Sequence, residues 1–188
     1  MISQTSNTFM ENEIPFQSDK NVVVNDLIRA INDKQGVYIT YCSILHGVKY
    51  LEIFPLKIFT FDKLYLRCFI RDLDIFRDLD IFDTLCINRI KNISVSPNEA
   101  LDNYDISFDK QWNKFITLKI IVHPKHKHKD SIMEEFSLSA SGKAIKIRVP
   151  MVGYFLHKYR IDYTRKAKQD MPLWLCNQEC LLGVDIDV

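Results

Sequence analysis

Apolar residues at Val24, Leu27, Ile28 and Ile31 recur at helical spacing. They predict one helix that starts near Val22 and is ended by Gly36. Beyond it the period falls to two. Val37–Tyr41 alternates as a half-buried strand, His46-Gly47 turns the chain, and Val48–Phe54 returns as far as Pro55. Leu56–Phe61 and Leu64–Ile70 read as two further strands around a tight turn at Asp62-Lys63, and Cys86–Ile93 as a last one. Short strands at this spacing, after a single helix, predict a small barrel.

The pattern then lapses and resumes. Residues 1–20, rich in Ser, Thr, Asn, Gln and Glu, read as a flexible leader, 21–97 as the helix and barrel, and 98–111 as a polar linker. Residues 112–188 form a second region. In it Phe115–Val122 is a strand ending at His123-Pro124, Ser131–Phe136 a short helix and Lys143–Val149 another strand. Pro150 suits the first turn of a helix carrying Val152, Leu156 and Tyr159 on one side. Strand, helix, strand, helix makes a small α/β unit, so the class of the whole is α+β. Leu173-Trp174-Leu175 reads as either a further strand or an interface element.

Composition narrows the function. With 47% hydrophobic and 26% charged residues, the chain is ordinary for a folded soluble protein. Its 25 basic and 24 acidic residues leave a net charge of +1, so no global field attracts nucleic acid and any such binding needs a local patch. No run approaches the ~18 apolar residues of a membrane span, and the polar start lacks the order of a secretory signal. Five cysteines, an odd number scattered through apolar segments, suit a reducing cytoplasm.

Two arginines stand out, Arg67 within Leu64–Phe69 and Arg89 within Ile87–Ile90. Each is a permanent cation among residues that favour burial, so each needs an acceptor. Either they snorkel or cap their strands, or two guanidinium forks face an anionic ligand such as a phosphate. Between them RDLDIF at residues 71–76 is repeated letter for letter at 77–82. An insertion of six keeps a strand's faces unchanged, while Leu73, Phe76, Leu79 and Phe82 also fit a helix, and the sequence leaves both conformations open.

Tyr38-Ile39-Thr40-Tyr41-Cys42-Ser43, Pro55, Lys63-Leu64-Tyr65-Leu66-Arg67 and Asn88-Arg89-Ile90 resemble the WYL domain of bacterial transcriptional regulators, with Leu64 at the family's tryptophan. The Leu-Tyr-Leu-Arg-Cys-Phe version is similar to repressors of the anti-phage BREX and CBASS islands. Asp109-x-x-Trp112, Leu118–Val122 running into His123-Pro124, Ile147-Arg148 and Tyr154-Phe155-Leu156 resemble the C-terminal WCX extension of those proteins.

The resemblance implies an Sm- or SH3-like barrel followed by a small α/β dimerisation or sensing unit. It implies a regulator that senses a nucleic acid or nucleotide-like ligand and acts as a homodimer on defence genes. Carried over residue by residue, the ligand-binding wall comprises Tyr41, Ser43, Tyr65, Arg67 and Arg89, with Arg77 as a further cation. The family's third cationic position falls on Asp83 or, if Phe76-Arg77-Asp78 is the equivalent segment, on Arg77. Family members begin with a winged helix-turn-helix, for which the ~20 residues before the barrel are too few. That implies a DNA-binding partner, or a DNA-binding domain carried elsewhere. The alternative is a stand-alone module that binds single-stranded nucleic acid or dimerises without reading an operator.

Other constellations carry less. In HPKHKH, lysines flank His126 and His128 and oppose a cation, so the histidines read as solvated surface or a phosphate-facing patch. Cys176 and Cys180 read as buried thiols rather than as half of a zinc site. Asp72, Asp74, Asp78 and Asp80 lack the glycine and terminal glutamate of a calcium loop. No catalytic triad, phosphate loop or cofactor motif is present, so the expectation is a non-enzyme with no metal and no cofactor.

Overall fold

The computed structural model describes residues 18–71, 81–98, 105–164, 171–184 and 186. They fall into two compact units: residues up to 59 with 63–81 and 85–100, and residues 60–62 and 82–84 with those from 101 onward.

The first unit opens with helix α1, Ser18–Asn32, which begins earlier than the apolar pattern predicts. Val23, Leu27 and Ala30 are buried along it, whereas Ile28, expected on the same face, is 46% exposed. At ~100° per residue, Ile28 falls off a stripe centred on Leu27. The helix ends at Lys34, which has φ 51°, and not at Gly36. Gln35 N–H donates to Ala30 O at 2.8 Å and Lys34 N–H to Ile31 O at 3.3 Å, the paired bonds of a Schellman cap. Gly36 serves packing instead: a Cβ there would lie 2.7 Å from the Phe54 ring.

Five strands follow: β1 (Val37–Ser43), β2 (Gly47–Thr60), β3 (Leu64–Arg71), β4 (Ile81–Cys86) and β5 (Ile90–Val95). They form one sheet in the order β4-β3-β2-β1-β5. Two expectations change. Pro55 does not break a strand: β2 runs through it to Thr60, beyond the Ile53 position where its pairing with β1 ends. The predicted strand over 86–93 splits around a 3-10 turn at Ile87–Arg89, which places Arg89 on a turn.

The barrel expectation is also corrected: among the described residues no ladder joins β4 to β5, and the sheet is open. Yet the three-residue turn Ile87–Arg89 links the two edge strands. Flat, those edges would stand ~19 Å apart at ~4.8 Å per strand. Four residue steps through a 3-10 turn span only ~8 Å. The sheet therefore curls strongly. Its inner face carries Val37, Ile39, Tyr41, Ile53, Leu66, Cys68, Leu85, Ile87 and Ile90, packed with the buried stripe of α1.

The second unit carries a four-stranded sheet, ordered β7-β6-β9-β8, from β6 (Phe115–Val122), β7 (Lys143–Arg148), β8 (Ile161–Asp162) and β9 (Leu173–Leu175). β8 and β9 run parallel and the other pairs antiparallel. Leu173–Leu175 is thus a strand, paired with β6. Helices α2 (Lys110–Asn113), α3 (Lys129–Glu135) and α4 (Val152–Lys158) complete the unit. The predicted strand-helix-strand-helix order is present, and Pro150 sits in the 3-10 turn before α4. Leu118, Ile120, Ile132, Val152, Phe155, Leu156, Ile161, Leu173 and Leu175 form the core. Gly142, at φ 80°, lets the turn before β7 pass against β6, since a Cβ would meet Ile120 O at 2.3 Å. No helix among the described residues is long and apolar enough to cross a membrane.

Candidate functional site

The expected wall is divided by the sheet that carries it. In β1, Val37, Ile39 and Tyr41 face the core, and in β3 so do Leu64, Leu66, Cys68 and Ile70. Side chains alternate along a strand, so Tyr65 and Arg67 point to the opposite face from Tyr41. Ser43 shares the parity of Tyr41 and uses its Oγ to accept the His46 N–H at 3.2 Å. Arg77 lies outside the described residues, as does most of the duplicated hexamer. Asp83 is exposed on β4, with Oδ1 accepting the Thr84 N–H at 2.6 Å.

Tyr41 and Arg89 do come together. The Tyr41 hydroxyl accepts the Cys86 N–H at 3.4 Å, just before the turn that carries Arg89. Burial pushes the Tyr41 phenol above its ordinary range, while the Cys86 N–H and the Arg89 guanidinium pull it back. Arg89 is half-buried and reaches solvent. Arg67 is only 2% exposed and is the largest of the fully buried side chains. Tyr65 is buried too, its ring stacked on Phe59 with centroids 5.7 Å apart.

The face shared by Tyr65 and Arg67 holds a carboxylate that the sequence reading passed over. Glu52 is fully buried on β2, opposite Tyr38 of β1. Its Oε1 accepts from Ser96 Oγ at 2.6 Å and Asn98 Nδ2 at 2.8 Å, and its Oε2 lies 3.5 Å from Arg71 Nη1. Asn98 Nδ2 also reaches the Tyr38 hydroxyl at 3.2 Å. An acid inside Leu51-Glu52-Ile53-Phe54 is the same signal that drew attention to Arg67, with opposite charge. The network ties the end of β5 to β2 and β3. It also places one negative charge on the face that carries Arg67.

In the second unit, His123 and Asp162 correct the reading of HPKHKH as surface. His123 is 0% exposed and Asp162 1%. His123 Nδ1 accepts the Lys125 N–H at 3.2 Å, and its Nε2 lies 3.5 Å from Asp162 Oδ2. Asp162 Oδ1 accepts from the Thr164 N–H and hydroxyl at 2.8 and 2.7 Å. The missing signal was a carboxylate 39 positions away, delivered only when β8 joins the sheet. Cys176 is exposed and Cys180 half-buried, so neither is the buried apolar thiol expected. Burial, with Glu179 beside it, raises the Cys180 thiol. Among the described residues no cluster of three His, Cys, Asp or Glu side chains could hold a metal ion.

Asp109 and Trp112 form a local cap. The buried Asp109 carboxylate accepts the Trp112 N–H at 2.9 Å at the start of α2. Arg148 lies over both the Trp112 and Phe115 rings, 4.9 and 4.4 Å from their centroids, and donates to Trp112 O at 2.5 Å.

Residues 115–181, which span all four strands of the second sheet, match the family model of the BrxR transcriptional regulator, C-terminal dimerization domain. No curated protein matches the chain. Among solved structures, the proteasome accessory factor B/C (PafBC) of Arthrobacter aurescens is similar at 10% identity and TM-score 0.40. That match covers 74% of this chain and 23% of the other. A CRISPR Cas-related protein is similar at 13% identity and TM-score 0.40, covering 76% of this chain and 45% of the other. The chain thus spans less than half the length of either. The matched family is one of regulators and not of enzymes, and its C-terminal region is the part this chain resembles.

Proposed function

We propose that this chain belongs to a transcriptional regulator of the BrxR type, in which residues 112–188 pair two copies and residues 21–97 form a WYL-like sensing domain. The observation that carries the reading is the family match over residues 115–181, coincident with a complete four-stranded sheet. The response passes to DNA through a DNA-binding domain or partner protein, in the cytoplasm, on genes of anti-phage defence.

The ligand is a nucleic acid or a nucleotide-like anion. Arg89 is its first contact, because its guanidinium reaches solvent beside the Tyr41 phenol. Ser43 lies on the same side, at the end of β1. Arg67 and Tyr65 are covered and take part only when the face above them opens, with Arg77 the further cation proposed from sequence. Protein purified under mild conditions is expected to show excess absorbance at 260 nm and to release a nucleotide-like molecule, identified by mass spectrometry. R89A is expected to lose it. A ligand-bearing R89A protein would remove Arg89 from the site, and a wild-type protein without bound nucleotide would count against sensing of this chemistry.

A further inference from the structure

The outer face of the second sheet has no role in the reading above. Leu118, Ile120, Ile145 and Ile147 point to the core. By alternation Phe115, Thr117 and Lys119 of β6, and Ala144, Lys146 and Arg148 of β7, point outward. The register sets Phe115 opposite Arg148, Thr117 opposite Lys146 and Lys119 opposite Ala144. Trp174 of β9, paired with Ile121, lies on the same outer face. Rings at Phe115 and Trp174 therefore stand six residues apart along β6, ~20 Å, with Lys119 and Lys146 between them and Arg148 beside Phe115.

The charge is segregated. From Lys110 to Lys129 the chain has six lysines and no acid, and from Lys143 to Arg148 three cations and no acid, in a protein whose net charge is +1. Phe115 is 43% exposed and carries the Lys146 ammonium 5.1 Å and the Arg148 guanidinium 4.4 Å from its centroid. An exposed ring costs hydration of apolar surface, and stacking with a base covers it.

We propose that this face binds single-stranded nucleic acid. Phe115 stacks on a base, and Lys119, Lys146 and Arg148 follow the phosphates. Arg148 is preset by its bond to Trp112 O, whereas Lys146 is exposed and can leave the ring for a phosphate. Base stacking on a ring outweighs the exposed cation contact that it replaces. A duplex is disfavoured, because its bases offer no free face to Phe115. A second copy of the chain is disfavoured too: a two-fold contact centred on this face would set the lysines and Arg148 against their own copies.

The test is fluorescence anisotropy of a labelled 20-nucleotide oligo(dT), read from low to high KCl with the full chain. K119E/K146E is expected to lower affinity at least tenfold and to reduce the log–log salt slope by about 1.4, at about 0.7 per lost phosphate contact. F115A is expected to lower affinity about fivefold or more at an unchanged slope. T117E places a carboxylate at the centre of the face, at an exposed position, and leaves Phe115, Lys119, Lys146 and Arg148 in place. It should weaken binding like the lysine variants, and it serves should they fail to fold. K119E/K146E protein should still carry the molecule held at Arg89, which separates this surface from the proposed sensing site. Wild-type protein that ignores oligo(dT), or K119E/K146E and T117E proteins that bind it unchanged, would overturn the proposal. So would light scattering that shows T117E to be a monomer where the wild type is a dimer, because the face would then be the subunit interface.

Discussion

Replacing Glu52 with alanine tests whether a buried carboxylate organises the first unit. Glu52 has no exposed surface, and two short bonds hold its Oε1, from Ser96 Oγ at 2.6 Å and Asn98 Nδ2 at 2.8 Å. Hydrogen bonds to an ionised group contribute roughly 1.5–3 kcal/mol each, but they share one acceptor and are not additive. The Arg71 guanidinium at 3.5 Å is one-fifth exposed, so solvent screening keeps its share below about 1 kcal/mol. E52A also removes the acceptor of the Ser96 hydroxyl, which is 1% exposed and so shielded from bulk solvent. Against this, the variant no longer buries a charge. The net expectation is a loss of about 3 kcal/mol, within the range for breaking a buried pair. At an m-value of about 2 kcal/mol per molar urea, the unfolding midpoint drops by about 1.5 M. E52Q keeps an acceptor for Ser96 and should lose about 1–2 kcal/mol, roughly half as much. Urea unfolding followed by circular dichroism measures both. An E52A protein within 0.5 kcal/mol of wild type would refute the reasoning, because the network would then be worth no more than its solvated parts.

Two further outcomes follow from backbone and burial. K34G should stabilise the protein by about 0.5–1 kcal/mol in the same assay, because Lys34 holds a positive φ at a Schellman cap where glycine carries no Cβ penalty. An unchanged or lower midpoint would show that the lysine side chain compensates for its backbone. Y41F tests the raised phenol. With its folded pKa above the unfolded value near 10, Tyr41 favours the folded state fully below pH ~10, and that contribution is lost as pH rises through the folded value. Y41F should cost about 1 kcal/mol at pH 7, by leaving the Cys86 N–H unpaired, and should flatten the alkaline fall. A wild-type alkaline limb retained in Y41F would mean another group controls it.

Much of this fold is legible as period. Alternation gave β1, β3, β6 and β7 close to their observed bounds, and the helical spacing around Leu27 gave α1. Where a single residue had to decide, the sequence was ambiguous for physical reasons. Pro55 removes a donor, but whether a strand ends there depends on whether a neighbour wants that donor, which the sequence does not say. Gly36 looked like a helix stop because glycine is usual there, yet Lys34 took that conformation and Gly36 admits the Phe54 ring. The candidate site was less legible. Arg67 and Arg89 stand out in the sequence as cations among apolar residues, but strand parity sets Arg67 and Tyr65 away from Tyr41, and a turn carries Arg89. Glu52 and the His123–Asp162 pair were missed because their partners are 44 and 39 positions away. Spacing cannot report contacts that only sheet order creates.

The central claim is that the second unit pairs two copies of the chain. Multi-angle light scattering of the full chain at micromolar concentration tests it most directly. Paired chains give a mass twice the 22.1 kDa of one chain, falling to the single-chain value as the sample is diluted below the dissociation constant. A mass of one chain at all concentrations up to 100 μM would contradict it.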